Sequence, residues 1–122
     1  IRYQGAQATT DDGTAVVSTA NVLAGIIQCT PTGDRSKATD TASNLVAGLY
    51  LTANGDSFDF SVINLATDGT SFITLTAGTG VTLGGGMVVS AQDAAEDAFT
   101  SGVGRFRIRR TSSTAVTMYR IA

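Results

Sequence analysis

The sequence predicts a mainly β domain. We expect a small β-sandwich or barrel-like fold of short antiparallel strands, with one short α-helix over about 39–51 and an extended N-terminal arm over 1–13. Three observations carry this. In Arg105-Phe106-Arg107-Ile108-Arg109 and in Phe58-Asp59-Phe60-Ser61-Val62, polar and apolar residues alternate with period two, the mark of a strand with one wet and one buried face. Glycine clusters at 78–80 and 84–86 cut the chain into short segments at near-regular spacing. The side chains are mostly small, with no Trp, so a chain of 122 residues can bury one modest core.

Residues 1–13 are polar and aperiodic, and read as an arm ordered by a partner or as a frayed terminus. Residues 14–122 then form a single β-rich domain. Thr14–Ser18 is a short candidate strand and Val22–Gln28 a stronger one, ended by the turn cluster Pro31-Thr32-Gly33-Asp34. From Ala38 to Leu51 the period changes: Ala42, Leu45, Val46 and Leu49 recur at helical spacing, with Thr39 or Asp40 placed to cap the first turn. Asn54-Gly55-Asp56 is a turn.

Ser57–Leu65 is a half-buried strand. Asp68-Gly69 predicts a hairpin into a return strand Phe72–Thr76. Val81–Leu83 and Met87–Ser90 follow between the glycine clusters. Gln92–Ser101 is an acidic loop with room for a helical turn. The chain closes on a hairpin whose strands, from Arg105 and from Ala115, meet at the turn Thr111–Thr114.

Charge is unevenly spread. The net charge is −2, but residues 1–100 carry Arg2, Arg35 and Lys37 against ten acids, a balance of −7. Residues 101–122 carry five arginines and no acid, a balance of +5. Such asymmetry points to an electrostatic interface, or to pairing of the terminal arginines with Asp93, Glu96 and Asp97 of the same fold or of a neighbouring subunit. We favour the pairing over a polyanion.

With no His, the chain lacks the commonest general base and a common metal ligand, which excludes Ser–His and Cys–His catalysis and the usual Cys/His zinc sites. Asp56 with Asp59, or two of Asp93, Glu96 and Asp97, are candidate glycosidase carboxylates, and Asp93–Asp97 is a candidate calcium cluster, but nothing in the sequence implies a cleft and the spacing matches no loop motif. The expectation is no enzyme, no cofactor and no metal.

The glycine clusters precede strands rather than helices, which reads as tight turns and not phosphate loops. Cys29 stands alone beside an apolar run and reads as a buried small hydrophobe. No stretch approaches the roughly 20 apolar residues of a membrane helix, and no charged-then-apolar leader is visible in the sequence. Phe106 and Tyr119 offer themselves as stacking platforms, but Phe106 alternates with the arginines, so it lies on the opposite face and cannot stack bases beside them; nucleic acid is not an expected partner.

Several segments in series resemble small structural proteins of tailed bacteriophages. They are Val22–Ile27, Thr30–Thr32, Asn44–Leu49, Gly55–Leu65, Thr74–Leu83, Gly104–Arg109 and Tyr119–Ile121, spanning roughly residues 14–122. The resemblance implies a virion protein without catalytic residues: a capsid decoration, or cement, protein on the outer capsid surface, bound to the major capsid protein as a homotrimer. Arg2, Tyr3, Arg105, Arg107 and Arg109 are then the expected attachment residues. The alternative is a tail-fibre or spike module that binds a host receptor.

Overall fold

The computed structural model describes residues 8–9, 13, 16–92 and 102–122. In chain order these form β1 (Ala8–Thr9), α1 (Thr19–Leu23), β2 (Ile26–Cys29), β3 (Arg35–Ala38), α2 (Ala42–Gly48), β4 (Ser57–Asn64), β5 (Ile73–Thr76), β6 (Val81–Gly84), β7 (Val88–Val89), β8 (Val103–Ser112) and β9 (Ala115–Arg120). The mainly β class is as expected. Two sheets are present among the described residues: six strands in the order β1-β2-β4-β8-β9-β6, and three in the order β3-β5-β7.

The expectation of antiparallel strands needs correction, because the sheets are mixed. β1 with β2, β2 with β4, β6 with β9 and β3 with β5 all run parallel. Among the described residues only β4–β8, β8–β9 and β5–β7 are antiparallel. The cause lies between β2 and β4, where the chain leaves to build β3 and α2. It returns beside β2 in the same direction, as parallel neighbours require a crossover.

The Asp68-Gly69 hairpin is likewise not formed. Asp68 accepts hydrogen bonds from Thr70 N and Ser71 N, both at 2.9 Å, and from Ser71 Oγ at 2.5 Å. This turn carries the chain out of one sheet and into the other, so β5 pairs with β3 and β7 instead of β4. Asn64, fully buried at the end of β4, ties the sheets together. Its amide donates to Ser71 O at 2.8 Å and Val89 O at 3.1 Å, and its carbonyl accepts from Ala66 N at 3.0 Å.

The segment expected as a strand over Val22–Gln28 is strand only from Ile26; Val22 and Leu23 close a helix. Ser18 caps α1 by accepting from Asn21 N at 3.2 Å, and Gly25, at φ +87°, turns the chain into β2. The expected helix over 39–51 is shorter at both ends. Its cap is Thr41, which accepts from Asn44 N at 3.3 Å, rather than Thr39 or Asp40.

Asp40 instead staples the two helices. It accepts from Thr19 N at 3.1 Å and Thr19 Oγ1 at 2.8 Å on one side, and from Thr41 N and Asn44 Nδ2, both at 2.8 Å, on the other. Burial opposes its charge, but the hydrogen bonds from Asn44, Thr19 and Thr41 together outweigh that, and its pKa is lowered.

One hydrophobic core joins both sheets and both helices, including Val22, Ile27, Leu45, Phe60, Ile73, Leu75, Val89 and Phe106. The rings of Phe60 and Phe106 stack with centroids 5.6 Å apart. Cys29 is buried there, as its apolar neighbourhood predicts. Gly78 sits where the backbones of Thr39 and Asp40 press in: an added Cβ would lie 2.4 Å from Thr39 O. The first glycine cluster is thus a point of close packing.

Two features link the expected arm to the domain. Ala8 and Thr9 pair with Ile27 and Gln28 as an edge strand. Lys37, the chain's single lysine, is buried, and its Nζ donates to Gly13 O at 2.8 Å.

Candidate functional site

The alternation in β8 places its side chains as the sequence predicts. Phe106 and Ile108 are wholly buried, while Arg105, Arg107 and Arg109 stand on the opposite, solvent face of the six-stranded sheet. Register then decides their neighbours. Arg105 lies opposite Ser61, Arg107 between Asp59 and Tyr119, and Arg109 between Ser57 and Thr117. The next strands extend the rows: Ile26 lies opposite Ser61, Gly84 opposite Tyr119, and Thr82 opposite Thr117.

The three arginines are not equivalent. Arg107 grips Asp59 with two nearly parallel bonds, Nε to Oδ1 at 2.7 Å and Nη2 to Oδ2 at 2.9 Å. This fork geometry is the strong form of an Arg–carboxylate pair. The bond from Arg107 lowers the Asp59 pKa against a smaller opposing effect of burial, helped by the charges of Arg107 and Arg105. Asp59 in turn raises the pKa of Arg107. Arg105 reaches the same carboxylate only at 4.0 Å. Arg109 has no acidic partner among the described residues; its flanking positions, Ser57 and Thr117, are neutral.

The other two terminal arginines fasten the rim of the core. Arg110 donates to Leu51 O at 2.7 Å and Asn54 Oδ1 at 3.1 Å. Arg120 lies over the Phe106 ring, 5.6 Å from its centroid, and bonds Val88 O.

The terminal arginines therefore do meet acid of their own fold, but through Asp59 on the neighbouring strand. The proposed partners Asp93, Glu96 and Asp97 lie outside the described residues, as do Arg2 and Tyr3. The sequence signal for Asp59 was present, since it occupies a wet position of a predicted strand; what was missing was knowledge that β4 and β8 are neighbours.

From the sequence Tyr119 was set aside together with Phe106, without a face of its own being assigned. Phe106 is buried on the opposite face, as alternation predicts, but Tyr119 shares the arginine face and is exposed. The same face carries further exposed apolar side chains: Ile26, in the row of Ser61 and Arg105, and Val103, two positions before Arg105, are 42% and 40% exposed.

Among the described residues no group of three or more His, Cys, Asp or Glu side chains could hold a metal ion, and no helix is long and apolar enough to cross a membrane. The chemistry this face can do is recognition: a rigid, ladder-bonded surface carrying forked cations and apolar side chains together. No protein-family model, curated protein or solved structure matches this chain.

Proposed function

We propose that this chain is a non-enzymatic virion structural protein, a decoration or cement protein that binds the outer surface of the major capsid protein shell and braces it, working as a homotrimer. The observation that carries the proposal is the open outer face of the six-stranded sheet, which combines Arg105 and Arg109 with exposed Ile26, Val103 and Tyr119. Interfaces are enriched in arginine and aromatic residues and depleted in lysine. Here the one lysine is buried, so every cation on this face is an arginine.

The serial resemblance of residues 14–122 to tailed-phage structural proteins supplies the partner. A bracing protein needs lateral contact area without chemistry, and a stiff sheet face offers it. Trimer formation would add burial to a modest core and stabilise the folded chain by mass action.

Cryo-electron microscopy of intact particles tests the reading. The expected result is density for this fold on the outer shell, three copies about a local axis. Density confined to the tail would overturn it in favour of a fibre or spike module, and absence from the particle would overturn both.

A further inference from the structure

We infer that the outer face of the six-stranded sheet docks an acidic protein surface, with Arg105 and Arg109 taking its carboxylates on either side of a Tyr119 anchor, and with Arg107 acting as an internal strut. The inference deepens the capsid reading and rests on it for where the partner is found.

Charge on the face sets the partner's chemistry. Among the described residues, Arg105, Arg107 and Arg109 stand against Asp59, a balance of +2. The four groups are not a closed network. Asp59 has given both oxygens to Arg107, so the fork of Arg107 is filled. Arg105 touches Asp59 only at 4.0 Å and its side chain is 57% exposed. Arg109, two strand positions beyond Arg107, is exposed between two neutral residues.

Two guanidinium groups thus remain available, each built for bidentate capture of a carboxylate. They are held in place because the filled fork of Arg107 lies between them and pins the middle of β8 to β4. Tyr119, directly opposite Arg107, supplies the rigid amphipathic anchor common at interface centres.

Two other occupants fit less well. A second copy docking face to face would set +2 against +2, a like-charge juxtaposition that disfavours the contact. Single-stranded nucleic acid needs successive aromatic platforms along a basic track. On this face Tyr119 is the one exposed aromatic among the described residues, and the Asp59 carboxylate sits at the centre, where phosphates would be repelled.

The test measures co-sedimentation of the full chain with capsid shells assembled without it, across 50–500 mM NaCl, beside fluorescence anisotropy on a 30-mer of oligo-dT. Binding of the native chain should weaken about tenfold or more across that salt range. The double variant Arg105→Glu/Arg109→Glu should weaken it at least about 30-fold, while its melting temperature falls only slightly, since the 4.0 Å contact of Arg105 with Asp59 is largely exposed. Should that variant misfold, Arg105→Gln/Arg109→Gln should still weaken binding about tenfold. Tyr119→Ala should accelerate release from the shell.

Native binding that ignores both salt and the arginine variants would overturn the inference and leave the capsid reading standing. Failure of the native chain to bind shells at all would overturn both. Tight oligo-dT binding with the same arginine dependence would overturn the acidic-protein partner in favour of nucleic acid.

Discussion

At the residue scale, a few polar side chains act as joints. Asn64 is the tightest of them: fully buried, with three hydrogen bonds to backbone groups of β7 and of the turn after β4. Replacing it by Leu takes a hydrogen-bond partner from two carbonyls and an amide, and a buried polar group left unsatisfied costs about 1–3 kcal/mol. Asn64→Leu should therefore lose at least about 3 kcal/mol in urea unfolding; a loss under about 1 kcal/mol would mean that the sheets do not depend on this joint.

Acid should loosen three other joints. Asp40, Asp59 and Asp68 all have folded pKa values below the ordinary 3.8, and Asp68, bonded first by the Ser71 hydroxyl and then by backbone amides, lies at about 2. A depressed carboxylate contributes stability that is present above its unfolded value and lost as pH falls through its folded one. Melting temperature should hold steady down to pH near 4 and drop toward pH 2. Asp68→Asn should melt lower at neutral pH and show a shallower drop. Parallel curves for the two proteins would assign the acid lability to other groups.

At the element scale, helix ends and strand crossings decide the outcome more than helix or strand propensity does. α2 ends in a Schellman arrangement: Leu51 N donates to Val46 O at 3.0 Å and Tyr50 N to Ala47 O at 3.3 Å. The left-handed residue there is Tyr50, at φ +58°, where glycine is the usual occupant. Tyr50→Gly should raise stability by about 1 kcal/mol, visible as a higher urea midpoint with unchanged slope; a lower midpoint would show that the ring's contacts outweigh the strain. Gly78 presents the converse case. Gly78→Ala forces a methyl group against two backbone carbonyls and should cost about 1–3 kcal/mol. Differential scanning calorimetry reads the effect, and an unchanged melting temperature would show that the backbone gives way there.

Much at this scale was legible in the sequence. β4 and β8 declare themselves by alternation, β9 by its run of β-formers, and the turn after Ser112 by its Ser and Thr residues. β3 did not, because Arg-Ser-Lys-Ala carries no strand signal of its own. It is a strand because Phe72 O and the β5 backbone receive it in parallel register. α1 could have been found from Ser18 as a cap with Gly25 as a stop, but Val22, Ile26 and Ile27 merge into what looks like one apolar strand.

At the scale of the whole molecule, the described pieces of the expected arm touch the domain at two places. Gly13 supplies a carbonyl to the buried ammonium of Lys37, and Ala8–Thr9 extend the large sheet. Deleting residues 1–13 should therefore lower the stability of the domain as well as alter any arm-dependent contact. Burying an ammonium group that has lost a partner is costly, so Lys37→Met should recover part of the loss in the truncated chain. Urea unfolding of the four proteins checks this, and additive effects of truncation and Lys37→Met would show that the two are not coupled.

The sequence by itself determined the class of the fold and the facing of the side chains along each long strand. Inside and outside positions of Phe58–Val62 and Arg105–Arg109 follow from a period of two, a property of neighbours along the chain. Only the tertiary structure decided which strands lie side by side. That choice brought Asp59 to Arg107, put Tyr119 on the arginine face and left Arg109 among neutral residues. Pairing is non-local: it depends on where β3 and α2 send the chain before β4 returns, and no local pattern in either strand records that path.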